Sequence, residues 1–204
     1  MEYLLRKMFV VFEGIDGSGK TTLSKLLVEE LNKKGHTAVW TKEPFDNQIR
    51  EVILSKNLDP WSEVFLFLSD RREHVLKVIK PALDKGYIVV CDRYYYSTLA
   101  YQGFGKGLNL QKLEKLNKFA TEGLEPDIVF ILDIDPQKAL ERINKTRGEK
   151  TKFEKLQFLQ KVREGFLNLA KEKENILILN AEEELTKLLS TVLLHILVKL
   201  NSAH

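Results

Sequence analysis

The residues best suited to chemistry lie in one string near the start of the chain, Gly14-Ile15-Asp16-Gly17-Ser18-Gly19-Lys20-Thr21, followed by Thr22. The spacing G-x-x-x-x-G-K-T is that of a phosphate-binding loop. Its glycines let backbone N–H groups turn inward around a β-phosphate. Lys20 reaches the β- and γ-phosphates, and the Thr21 hydroxyl is a ligand for Mg²⁺. Context separates such a loop from a chance glycine-rich turn. Residues 8–12 are an unbroken apolar run, as a strand buried on both faces requires, and Leu23, Leu26, Leu27 and Leu31 beyond the loop have helical spacing. That order aims a helix N-terminus and its dipole at the anion.

A phosphate loop does not say who receives the phosphate. Asp92-Arg93-Tyr94 close a second apolar run, residues 87–91. Arg93 offers paired donors to a phosphate, and Asp92 interacts with Mg²⁺ through water or orients the arginine, although a surface ion pair fits the same two types. Phe67 and Arg71 lie four apart in a predicted helix, and Thr98 and Gln102 are also four apart. One helix face could therefore stack on a flat base and bond its edge, while a core aromatic beside a solvated cation has the same spacing. A guanine-reading N-K-x-D is missing: the nearest string, Asn144-Lys145-Thr146-Arg147, ends in the wrong charge. A small kinase fits better than a GTPase or a motor ATPase.

These groups need a frame. Apolar runs at 8–12, 37–41, 87–91, 127–133 and 176–179 predict about five strands, separated by helical patterns near 48–55, 61–80, 110–120, 136–143, 153–172 and 183–200. Strands without alternation, separated by helices, predict an α/β fold of three layers, a parallel sheet with helices on both faces. The ligand then belongs at the carboxyl ends of the strands. Residues 144–152 are polar, basic and contain a glycine, and read as a short lid or loop.

At 204 residues the chain is expected to be a single domain over 1–204. Its charge is +3, from 32 basic and 29 acidic residues of interspersed sign, which argues against a nucleic-acid surface. Cys91 is the only cysteine and the four histidines are scattered, so neither a disulfide nor a structural metal is expected. No segment reaches membrane-spanning length and residues 1–7 are too short to hold a signal core, so a soluble, cytoplasmic protein is the expectation.

Several separated motifs together resemble the thymidylate kinase family, P-loop nucleoside monophosphate kinases that convert dTMP to dTDP. They are Phe12-Glu13-Gly14 through Thr22, Lys42-Glu43-Pro44 where the family commonly has Arg-Glu-Pro, Phe67-Leu68-Ser69-Asp70-Arg71, and Asp92-Arg93-Tyr94 with Ser97-Thr98-Leu99-Ala100-Tyr101-Gln102-Gly103. The resemblance implies ATP and Mg²⁺ as cofactors, dTMP as acceptor, and a homodimer. It implies that Phe67 stacks on thymine, Arg71 bonds the base, Tyr101 excludes a ribose 2′-hydroxyl, and Asp16 bonds the 3′-hydroxyl and helps organise the metal with Thr21 and Asp92. Arg93 would hold the acceptor phosphate, with Glu43, Pro44, Arg50 and Ser97 nearby. Family members with Gly at the position of Gly17 carry the catalytic arginine in the lid, which points to Arg147, then Arg142. The lid here reads Thr151-Lys152-Phe153-Glu154 where the family commonly has Asp-Arg-aromatic-Glu. The adenine contacts are expected around Asn180 and Ala181. A kinase for another nucleoside monophosphate or a deoxynucleoside, and a nucleotide-binding regulatory protein without turnover, are the alternatives.

Overall fold

Runs of Val, Ile and Phe without polar alternation bury both faces, and here they do so in the three central strands of one sheet, while the two edge strands stay partly exposed. The computed structural model describes residues 7–143 and 152–202. Strands β1 (Met8–Glu13), β2 (Ala38–Lys42), β3 (Ile88–Asp92), β4 (Ile128–Asp133) and β5 (Ile176–Asn180) pair in the order β2-β3-β1-β4-β5, every pair parallel. Val10, Val11, Phe12, Val89, Val90, Cys91, Val129 and Phe130 are wholly enclosed at its centre. From β1 the chain crosses to β2 on one side, and from β3 it crosses over β1 to β4 on the other, so the switch point that forms a ligand crevice lies at the ends of β1 and β3.

The connecting helices are α1 (Lys20–Lys33), α2 (Asn47–Ser55), α3 (Pro60–His74), α4 (Lys80–Asp84), α5 (Tyr95–Thr98), α6 (Leu110–Ala120), α7 (Pro136–Ile143), α8 (Lys152–Lys171) and α9 (Leu185–Ser202). Side chains cap four of them: Asp46 accepts from Gln48 and Ile49, Asp59 from Trp61 and Ser62, Asn109 from Lys112, and Asp135 from Gln137 and Lys138. No described helix is long and apolar enough to cross a membrane.

Two wide turns depart from the sequence expectation. The helix expected over 61–80 instead passes from α3 through a π-helical turn, Val75–Ile79, into α4. A wider turn ahead of Pro81 relieves the contact its ring would make with the carbonyl four residues back. Residues 95–105, for which no element is expected from periodicity, run from α5 directly into a seven-residue π-helical segment, Leu99–Gly105. That segment packs on α8 with almost no room between them. A Cβ on Gly105 would lie 2.7 Å from the Phe158 ring, and one on Gly165 would lie 2.7 Å from that of Phe104.

Candidate active site

The loop between β1 and α1 is shaped by backbone that only glycine adopts freely. Gly14 (φ 136°) and Gly17 (φ 84°) would each drive a Cβ to within 2.6 Å of a carbonyl oxygen, that of Leu132 or of Ala139. An arginine at position 17 would therefore collide with α7. Gly19, also left-handed, precedes α1 without a side-chain cap, in contrast to α2, α3 and α6. The N–H groups of the first turn of α1 are left for an anion.

Lys20 is 5% exposed and curls back, donating to the Ile15 carbonyl at 2.9 Å and to Ser18 Oγ at 3.4 Å. Burial, reinforced by the neighbouring Arg93 cation, pushes its pKa down to about 7, against the pull of Asp92, Asp16 and Glu13. The Thr21 hydroxyl donates to Asp92 Oδ2, while Asp92 Oδ1 is buried and has no hydrogen-bond partner among the described residues.

Arg93 follows β3 in a left-handed conformation, φ 76°, which costs a non-glycine residue energy and is held by the Arg93 N–H bond to the Phe12 carbonyl, 2.9 Å. The strained backbone delivers the guanidinium across the end of β1. There it donates to Asp16 Oδ1 (2.5 Å), Ser97 Oγ (2.9 Å) and the Gly14 carbonyl (3.2 Å). Tyr101 Oη accepts from both the Asp16 N–H (3.1 Å) and Arg93 (3.4 Å), so it joins the loop to the guanidinium.

Beneath Arg93 lies Glu13, a residue to which sequence reasoning assigns no role. It is wholly buried and accepts from Tyr94 N (2.8 Å), Ser97 N (3.2 Å) and Ser97 Oγ (2.6 Å). Ser97 is thereby locked with its oxygen toward Arg93. Burial outweighs these bonds and the Arg93 and Lys20 cations, and raises the Glu13 pKa to about 7. The signal in the chain is a lone acid ending an otherwise apolar strand, immediately before the loop.

The other end of the cavity is organised around Arg71, 2% exposed on α3. Nε and Nη2 both reach Glu43 Oε2 (2.8 and 2.7 Å), and Nη2 also reaches the Tyr94 carbonyl (3.4 Å). Nη1 bonds Thr98 Oγ1 (3.0 Å) and Asn117 Oδ1 (2.5 Å). All five N–H donors of the guanidinium are thus engaged. Behind them His74 bridges Glu43 Oε1 (3.2 Å) and Thr41 Oγ1 (2.6 Å). Burial opposes the charge of Glu43, but Arg71 and His74 outweigh it and hold the carboxyl below the ordinary carboxylate range. Asn117, His74 and Thr41 are further residues that sequence reasoning does not reach, since each comes from a different element.

One cavity of about 730 Å³ joins the two ends. It is lined by Asp16, Gly17, Gly19, Lys20, Thr21 and Thr22 on one side. On the other are Glu43, Pro44, Arg50, Phe67, Arg71, Ser97, Thr98, Tyr101 and Gln102, with Asp92 and Arg93 between. Gly14, Ile15 and Ser18 shape the loop from beneath. Arg142 does not line the cavity; it donates to the Ala181 carbonyl at 3.1 Å, which ties α7 to the turn after β5. Arg147 lies outside the described residues.

A parallel sheet with a phosphate loop at its switch point, a buried loop lysine and a Thr–Asp pair beside it defines a P-loop nucleotide-binding protein. Comparison with known proteins narrows the class. The family model described as thymidylate kinase matches residues 12–192. A thymidylate kinase from Pelotomaculum thermopropionicum is 42% identical over 81% of this chain and 81% of its own length, and a probable thymidylate kinase from Pyrococcus horikoshii is 45% identical over 87% and 89%. A crystal structure of thymidylate kinase from Ehrlichia chaffeensis superposes with a TM-score of 0.78 at 33% identity, covering 94% of this chain and 99% of that one. The chain belongs to the thymidylate kinase family.

Proposed function

We propose that this chain transfers the γ-phosphoryl group of ATP to the 5′-phosphate of dTMP, giving dTDP and ADP, in the supply of dTTP. The observation that carries this reading is the single cavity in which the phosphate loop, Arg93 and the Phe67–Arg71–Gln102 wall face one space. The acceptor oxygen belongs to a phosphate already ionised at neutral pH, so no general base is needed. Catalysis consists of aligning two anions and neutralising their repulsion. Lys20 takes the donor phosphates and Arg93 bridges toward the acceptor phosphate, with Arg50 at the rim. Asp16 and Tyr101 hold the sugar, and Phe67 stacks on the base. Arg147 supplies the lid cation, with Arg142 beside the adenine end.

Mg²⁺ fits the donor end on one observation, the buried Asp92 Oδ1 next to Thr21, which has no partner among the described residues. Thr21 and Asp92 would hold the ion, supported by Asp16, with phosphates and waters completing its shell. When bound, it would draw charge from the transferring group. We read the chain as one cytoplasmic kinase domain acting as a homodimer, since Phe65 on α3 and Phe119 on α6 expose apolar surface, 57% and 76%.

The test is ADP release from ATP·Mg²⁺ with dTMP, dUMP, the thymine ribonucleotide, AMP, CMP, GMP and thymidine as separate acceptors. Turnover confined largely to dTMP is expected. ATP binding without turnover on any of them would overturn the reading. In the same assay Tyr101→Ala is expected to narrow the preference for dTMP over its ribonucleotide, and an unchanged preference would remove Tyr101 from that role.

A further inference from the structure

Gln102 and Glu63 both line the cavity, the first from the π-helical segment and the second from the first turn of α3. Gln102 Nε2 donates to Glu63 Oε2 at 3.1 Å, and Lys106 Nζ donates to the same oxygen at 2.6 Å. A carboxylate paired with a lysine is an acceptor only, so it binds the nitrogen end of an amide and rejects the oxygen end. Gln102 is 4% exposed and the Glu63 side chain 15%, which limits competition from water. The amide is therefore held in one of its two orientations. Its oxygen makes no hydrogen bond to any described residue and is left as the amide's free acceptor.

We infer that Glu63 is a positioning residue for base specificity: by holding the Gln102 amide nitrogen, it makes Gln102 present an acceptor to the base edge. An acceptor there takes the ring N3–H of thymine. Cytosine carries a lone pair at N3, so the same oxygen repels it. Lys106 ties the residue after the π-helical segment to α3 but does not touch the Gln102 amide. The inference rests on the reading that this wall receives the base of dTMP.

The experiment compares kcat/KM for dTMP and dCMP in the wild type, Glu63→Gln and Lys106→Met. A second amide at position 63 both donates and accepts, so the pair can settle either way round. In Glu63→Gln the preference for dTMP over dCMP is expected to fall on the order of tenfold, with the change in KM exceeding that in kcat. Lys106→Met keeps the Glu63–Gln102 bond and is expected to hold the ratio within about twofold. Equal losses on both substrates in Glu63→Gln, or a collapse of the ratio in Lys106→Met as large as in Glu63→Gln, would overturn the inference. Loss of the folded state in Glu63→Gln, read by circular dichroism, would assign Glu63 to folding and overturn it too. If the wild type does not turn over dTMP, the kinase reading fails instead. Calorimetric binding of dTMP and dCMP to the wild type and Glu63→Gln then decides the clamp by the same ratio.

Discussion

At the base end of the cavity Arg71 gives every N–H it has to a protein acceptor, and the carboxylate that balances it is held ionised by two partners. At the phosphate end charge is left unresolved. Lys20 bonds one carbonyl and one hydroxyl; among the described residues Asp92 keeps a buried oxygen without a partner, and the Nε of Arg93 bonds none of them. The first arrangement is finished before any ligand arrives and serves as a rigid template. The second is electrostatically incomplete, and an anion with its metal ion would settle it. Folding energy is invested at one end, and transition-state stabilisation is kept in reserve at the other.

Mutations that separate stability from turnover test this contrast. Arg71→Met strips the partner from buried Glu43 and is expected to cost about 3–5 kcal/mol of stability, read from urea unfolding. A loss below about 1 kcal/mol would show that the base end is not prepaid in this way. Lys20→Ala inverts the pattern. It is expected to lower kcat by about 100- to 1,000-fold in a steady-state ADP assay while leaving the unfolding midpoint unchanged or raised, because a buried cation has been removed.

The pH dependence sharpens the picture of the phosphate end. The Glu13 pKa is raised from 4.5 to about 7, so the folded chain holds that proton more tightly and stability falls as pH rises through this window, by on the order of 3 kcal/mol. Lys20 is lowered from 10.5 to about 7, so the folded chain holds its proton less tightly and stability recovers as pH rises above 7. Urea midpoints measured without nucleotide from pH 5 to 9 should pass through a minimum near neutrality. Glu13→Gln should flatten the acid-side slope, and persistence of that slope would detach it from Glu13. The smallest effect is expected at Asn117. Asn117→Ala leaves one Arg71 donor without its acceptor and should cost about 1–3 kcal/mol, with the loss of dTMP binding exceeding any loss of kcat.

The sheet was legible because its signal is local: residues 127–133 and 176–179 are apolar enough to be strands in almost any context. The phosphate loop was legible because its glycines are demanded by backbone geometry alone. What stayed hidden depends on contacts between distant parts of the chain. Asn117 is one of several polar residues in an amphipathic helix until Arg71, 46 positions away, is placed against it. Glu13 looks like the end of a strand until the backbone of residues 94–97 folds over it. The π-helical turns left no mark either, since one extra residue per turn has no residue-type signature, and in 99–105 the aromatics and glycines also mask helical periodicity.

The narrow seam between the π-helical segment and α8 constrains which substitutions this chain can accept. With Gly105 pressed on Phe158 and Gly165 on Phe104, neither helix has a side-chain cushion to absorb a change in volume. Substitutions there are expected to be inherited in compensating pairs, a larger residue at 105 or 165 arriving with a smaller one opposite. A change that broke the pairing would shift the wall that carries Tyr101 and Gln102.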